Sequence, residues 1–262
     1  MKLDQASIAK LAEHLENCEL QAKDTVKITE DYPQMDFEDA YAIQDAIRQR
    51  KIARGVKIPG FKAGLTSHAK MKQMGVSVPA FGFITDYGCL PDGGEVKTSE
   101  LIHPKVEPEM VFVMKKALRG PGCHIAAVLA ATDFVMPGME VIDSRFRDFK
   151  FDLPSVIADN TSAARYVLGG KPCAPDEIDM RTTGLVLEKN GELMTFGAGA
   201  AVLNHPATAI AMLANHLGAR GEEIPAGAVI LSGGITEAVA VKAGDAVTLR
   251  MQGMGSVSLR FV

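Results

Sequence analysis

The sequence predicts an α+β fold, a small helical N-terminal lobe carried on a β-rich body. Two observations predict it. Apolar residues recur at helical spacing through the N-terminal third, and from about residue 77 short apolar runs alternate with Gly and Pro. No internal repeat, low-complexity tract or obvious flexible linker is present, and the expected division is a lobe over 1–76 and a body over 77–262.

The elements follow in order. Ile8, Leu11, Ala12 and Leu15 make one apolar helix face. A second helix starts after Asp36, carries Phe37, Ala40, Ile43 and Ile47 as its stripe, and stops at Gly55. A short third helix is expected over 68–74, with Ser67 as N-cap and Gly75 as terminator. The runs at 110–114 and 139–142 read as buried strands. Asn190-Gly191 between two apolar runs is a hairpin signal. Later strands are expected at 228–231, 247–250 and 257–262, with helices at 124–134 and from Pro206 to about Gly218.

The chain has 262 residues, with 28 Lys+Arg against 32 Asp+Glu and a net charge of −4. That balance gives no positive field for a nucleic-acid backbone. No apolar run approaches the roughly 18 residues of a membrane helix, and the first residues lack a signal-peptide core. Neither nucleic acid nor membrane is therefore expected as a partner. Cys18, Cys89, Cys123 and Cys173 form no CxxC pair and read as reduced thiols of a cytoplasmic protein. The histidines show no HxxH or HExxH spacing, and neither GxSxG nor a strand-to-helix GxGxxG occurs.

The sharpest chemical pattern is HPKVEPE at 103–109. In an extended strand Glu107 and Glu109 share a face with Lys105 and His103. Pro104 and Pro108 cannot donate to a ladder, which places the segment at a sheet edge or a strand start. Two neighbouring carboxylates repel unless a proton or cation lies between them, although an ExE on an edge also serves as a plain solvated face. Glu140 interrupts an apolar run, where a charge is costly unless paired or ligated, or else marks an edge strand with that residue facing water. Together Glu107, Glu109 and Glu140 make an oxygen-only site suited to Mg²⁺ or Mn²⁺.

Other residues could complete a site. Lys62 sits among small and apolar neighbours, where a lysine is either partly desolvated and reactive or simply at the surface. Thr66-Ser67, at a helix start, offers backbone N–H groups to an anion. Asp159-Asn160-Thr161-Ser162 is a polar run that could orient hydrogen bonds or form a turn. Gly233-Gly234-Ile235-Thr236 permits close backbone approach, with Thr236 as a hydroxyl donor, or is only a tight turn. Arg145, Arg147 and Lys150 could hold a dianion, or belong to a solvated loop.

FKAGLTS at 61–67, KVEPE at 105–109, EVIDSR at 140–145, ADNTS at 158–162 and SGGIT at 232–236 occur in this order. The series resembles the fumarylacetoacetate hydrolase superfamily over nearly the whole chain, and within it the hydratase/decarboxylase branch of meta-cleavage catabolism of aromatic compounds. KMKQMGV at 70–76, FGFITDY at 81–87 and DSRFRDFKFD at 143–152 look more like the decarboxylase of that branch. Pro108 departs from the small non-proline residue of relatives.

The resemblance implies a β-roll-like body, Mg²⁺ or Mn²⁺ on Glu107, Glu109 and Glu140, and decarboxylation of 2-oxo-3-hexenedioate, a small dicarboxylate, to 2-hydroxypenta-2,4-dienoate. Lys62 would then handle a proton or pair with a substrate carboxylate. Ser162 and Asn160 would orient the enol or a water. Thr236 and the backbone at Gly234, with Leu65 and Thr66, would take the C1 carboxylate, and Arg145 or Arg147 the distal one. A homo-oligomer and a complex with the pathway hydratase are expected. The alternatives are hydration of 2-hydroxypenta-2,4-dienoate by the same site, or a catalytically silent partner subunit.

Overall fold

The computed structural model describes residues 1–67, 71 and 79–262. The helices are α1 (Gln5–Leu20), α2 (Phe37–Ala53), α3 (Ile125–Ala131), α4 (Leu153–Ala158) and α5 (Pro206–Ala219). The strands are β1 (Gly60–Gly64), β2 (Ala80–Ile84), β3 (Cys89–Leu90), β4 (Gly94–Val96), β5 (Lys105–Met114), β6 (Thr132–Ile142), β7 (Ala163–Leu168), β8 (Gly184–Lys189), β9 (Glu192–Ala198), β10 (Val229–Leu231), β11 (Val239–Ala240), β12 (Ala246–Met251) and β13 (Gly255–Phe261). The α+β class holds, with a helical N-terminal region against a curled mixed-sheet body.

Local chemistry starts and stops the helices where the sequence says. The Asp4 carboxylate accepts from Ser7 N at 2.8 Å and opens α1. Asp36 and Asp39 close a reciprocal capping box on α2, and Gly55 leaves that helix at φ +88°. Ile8, Leu11, Leu15, Ile43 and Ile47 turn inward to an apolar cluster shared with Phe83, Phe146 and Ile157.

Among the described residues the larger sheet runs β2-β1-β10-β5-β6-β7-β3, with β11 also paired to β5. A second sheet runs β4-β13-β12-β8-β9. One face of the larger sheet (Met110, Phe112, Val141) packs on Leu187, Leu249 and Leu259 of the smaller one and on Ile210 of α5. Such a continuous apolar layer is the main driving force for closing the body.

The hairpin forms as expected, with Asn190 at φ 55° and Gly191 at φ 82° joining β8 to β9. Two expectations change. The helix expected over 124–134 ends at Ala131, because Thr132 starts β6. The stretch 1–76 is not wholly helical, since β1 joins the main sheet between β2 and β10. Of the two placements expected for the KVEPE segment, the strand start holds, since Lys105 opens β5, and the edge does not, because β5 is a central strand. Pro108 is tolerated there because β10 pairs with 111–113 and β11 with 105–106, leaving its missing N–H in the gap between them. The helix expected over 68–74, and most of the KMKQMGV segment, lie outside the described residues.

Candidate active site

Strand alternation builds the site. Lys105, Glu107, Glu109 and Val111 share one face of β5. Antiparallel register puts Glu140 of β6 directly opposite Glu107, and Gly138 opposite Glu109. All three carboxylates are buried, and a ligand oxygen from each lies within 4.8 Å of the others. Lys62 of β1 reaches this face, with Nζ 2.7 Å from Glu140 Oε1 and donating to the Thr161 carbonyl at 2.9 Å.

The glycine loop after β10 backs the cluster. Gly233 N donates to Glu109 Oε2 at 2.6 Å. A Cβ at Gly234 would fall 2.9 Å from the Glu107 carboxyl carbon, so only glycine lets that carboxylate lie against the backbone. Thr66 is buried against Gly233 in the same way.

Electrostatics follow from this crowding. Burial, then the charges of Glu140 and Glu107, hold the Glu109 carboxyl well above the usual carboxylate range, against the pull of Lys62 and the Gly233 N–H. Burial also raises Glu140, with Lys62 opposing and Glu107 adding to the rise. Glu109 Oε1 and Glu140 Oε2 are buried without a hydrogen-bond partner among the described residues. Stranded carboxylate oxygens aimed at a common point are what a hard divalent cation would satisfy, so this donor set fits Mg²⁺ or Mn²⁺.

The cluster meets a cavity of about 800 Å³ through Glu107. Lys62, Gly64, Leu65, Thr161 and Ser162 line it with Glu107, as do Lys27, Glu30, Lys105, Phe149, Lys150 and Phe151. The Ser162 hydroxyl is buried, faces the cavity and has no hydrogen-bond partner among the described residues. Asn160, Thr161 and Ser162 all have positive φ, at 48°, 50° and 60°, an arrangement that persists only when its surroundings impose it. Those surroundings are explicit. The Asn160 amide donates to Phe83 O and accepts from Phe83 N, both at 2.9 Å. Gly82 leaves the room, since a Cβ there would meet Thr161 Oγ1 at 2.5 Å.

Not every expected residue meets the cavity. Asn160 spends its side chain on β2 and acts behind the site. Thr236 Oγ1 donates to the Glu237 carbonyl at 3.2 Å. Arg145 and Arg147, expected to meet a distal carboxylate, are committed elsewhere. Arg145 is buried on Asp159 and on the carbonyls of Asp143, Asp159 and Ala163. Arg147 is exposed and pairs with Asp24 at 2.9 Å. Among the described residues, the cations that do face the cavity are Lys62, Lys27, Lys105 and Lys150. Lys105 was legible from its i, i+2 relation to Glu107, whereas nothing near Lys27 in the sequence marks it.

The family profile described as "Fumarylacetoacetate (FAA) hydrolase C-terminal" matches residues 65–262. The chain belongs to the fumarylacetoacetate hydrolase family. Among curated family members, a 4-oxalocrotonate decarboxylase of Pseudomonas putida is 59% identical over 260 residues, covering 99% of this chain and 98% of its own. The 2-oxo-hept-4-ene-1,7-dioate hydratase of Escherichia coli is 38% identical over 258 residues, covering 96% of this chain and 97% of its own. Among solved structures, 4-oxalocrotonate decarboxylase from Pseudomonas putida G7, complexed with magnesium and adipate, matches with a TM-score of 0.98 at 56% identity, covering 100% of this chain and 99% of that one. Both branches of the family's hydratase/decarboxylase chemistry thus have relatives of this chain. No helix among the described residues is long and apolar enough to cross a membrane.

Proposed function

We propose that the chain is a divalent-metal-dependent carboxy-lyase that converts 4-oxalocrotonate (2-oxo-3-hexenedioate) to 2-hydroxypenta-2,4-dienoate and CO₂ in the meta-cleavage breakdown of aromatic compounds. The observation that carries this reading is the buried Glu107–Glu109–Glu140 cluster with Lys62, which opens on a cavity through Glu107 and Lys62. The full-length relative that is 59% identical supports it.

Glu107, Glu109 and Glu140 would hold Mg²⁺ or Mn²⁺, and a cation bound there supplies Lewis-acid polarisation to the 2-oxo group. When the bond to the distal carboxylate breaks, its electron pair passes through the conjugated carbons to the 2-oxo oxygen. A proton on that oxygen completes the dienol. Lys62 Nζ is the group that handles this proton, held in place by Glu140 and the Thr161 carbonyl. The Ser162 hydroxyl orients the enol. Leu65, the Gly234 backbone and, once freed from the Glu237 carbonyl, Thr236 receive the C1 carboxylate, with Thr66 packing behind the glycines. Leu65, Ile142, Phe151 and Val156 give the cavity an apolar wall, which suits departure of neutral CO₂. The same reading includes a cytoplasmic homo-oligomer working in complex with the hydratase that consumes the dienol.

The test uses Mg²⁺-loaded protein with 2-oxo-3-hexenedioate, following the ultraviolet band and released CO₂, with an EDTA-treated control. Metal-dependent CO₂ release is the expected result. Consumption of 2-hydroxypenta-2,4-dienoate without CO₂ release would make the protein the hydratase, a reading that its relative at 38% identity also supports.

A further inference from the structure

Of the described lysines that line the cavity beyond Lys62, two are already matched to carboxylates. Lys27 Nζ lies 3.4 Å from Asp152, and Lys150 Nζ lies 3.4 Å from Asp148 on a side chain that is 82% exposed. Lys105 differs. It has no carboxylate partner among the described residues, and its ammonium sits 3.9 Å from the centre of the Phe149 ring. A ring face steadies a cation without neutralising it.

The perch is built. Asp148 and Phe149 both adopt positive φ, at 57° and 56°, and the His103 ring packs on Phe149 at 4.7 Å. Lys105 is fixed from the other side by β5, in register with Ile142 of β6 and Ala240 of β11. The charge therefore faces the cavity from a defined place. Lys105 and Glu107 share a strand face two residues apart, a separation of about 6.6 Å. That separation is of the order of the length of an extended six-carbon dicarboxylate.

We propose that Lys105, held on Phe149, is the residue that selects a 2-oxo dicarboxylate over a 2-oxo monocarboxylate by pairing with the carboxylate remote from the metal cluster. This rests on the substrate reading above and assigns its second charge to a specific group. The pairing is strongest while the carboxylate is still charged and weakens as it becomes CO₂. Lys105 thus contributes to substrate binding, and its loss falls on KM rather than kcat.

The experiment titrates Mg²⁺-loaded protein calorimetrically with 2-oxoadipate and with 2-oxohexanoate, which have the same length and differ in the remote carboxylate. Wild type is expected to prefer the dicarboxylate by about tenfold, the scale of one charge-assisted contact. Lys105→Gln should abolish that preference by weakening 2-oxoadipate alone, and Lys105→Arg should restore most of it. With 4-oxalocrotonate, Lys105→Gln should raise KM by about tenfold. An unchanged preference in Lys105→Gln overturns the proposal. So does equal weakening of both acids, which would make Lys105 a support of the site. The monocarboxylate affinity also reports whether the variant is folded. Wild type that binds both acids alike removes only the role of Lys105, whereas wild type that binds neither removes the substrate reading itself.

Discussion

Lys62 on β1 and Glu140 on β6 form a 2.7 Å ion pair although β10 and β5 lie between their strands. Three strand spacings in a flat sheet amount to roughly 14 Å between backbones, beyond the joint reach of the two side chains. The curl of the sheet closes that distance. Lys62→Met should therefore abolish turnover while leaving Mn²⁺ affinity equal or higher, because it removes a positive charge from beside the carboxylates. Electron paramagnetic resonance titration with Mn²⁺ measures this directly, and a large loss of affinity would show that Lys62 organises the carboxylates.

The carboxylates should behave in the opposite way. Glu107→Gln and Glu140→Gln each remove an anionic oxygen donor. Each should weaken Mn²⁺ binding by more than about a hundredfold, with turnover lost at ordinary Mg²⁺ concentrations. Full activity in either variant would exclude that residue from the metal site.

Arg145 and Asp159 are buried to 3% and 1% of their side-chain surface and hold each other behind the turn at 160–162. Asp159→Leu strands a guanidinium that burial has cut off from water, a change that costs about 3–5 kcal/mol. The double variant Arg145→Met/Asp159→Leu leaves no stranded charge and should unfold at a higher urea concentration than Asp159→Leu. A double variant as weak as the single would mean that the hydrogen bonds of Arg145 to the carbonyls of Asp143, Asp159 and Ala163 matter more than the charge.

His216 of α5 packs on Tyr41 and Phe81 at 4.4 and 5.2 Å. Burial, helped by Arg220 and opposed by Glu222, pushes its imidazole down to about 4. The unfolded chain takes up a proton near pH 6.5 that the fold refuses. Stability from this group is full above about 6.5, falls as pH drops toward 4, and loses nothing further below that. The urea midpoint should drop between pH 7 and pH 5, and His216→Phe should make the drop smaller. An equal drop in the variant would assign the pH dependence to carboxylates.

The carboxylate cluster was readable because its signals are local. Glu107 and Glu109 alternate on one face, and Glu140 is a lone charge in an apolar run. The fate of Arg145 was not readable. Among Asp143, Arg147, Asp148 and Lys150 it looks like part of a solvated loop, and only Asp159, brought close by the fold, explains its burial. Strand β1 was missed because KAG in GFKAG lacks β-branched residues, and parallel pairing with β10 supplies what propensity does not. The left-handed run at 160–162 has no glycine to announce it, since the backbone is held there by Phe83, Lys62 and the space at Gly82.

The position of β10 has a consequence for how the protein is made. A chain leaving the ribosome from its N-terminus exposes Lys62 and all three glutamates well before residues 229–233 exist. Until those residues arrive, β1 lacks its parallel neighbour and Glu109 lacks the Gly233 N–H. Pairing over so long a sequence separation is a late event in folding. The site is therefore incomplete until residue 233 has been made, and a nascent chain that stalls before residue 229 carries the carboxylates without the strand that joins Lys62 to them.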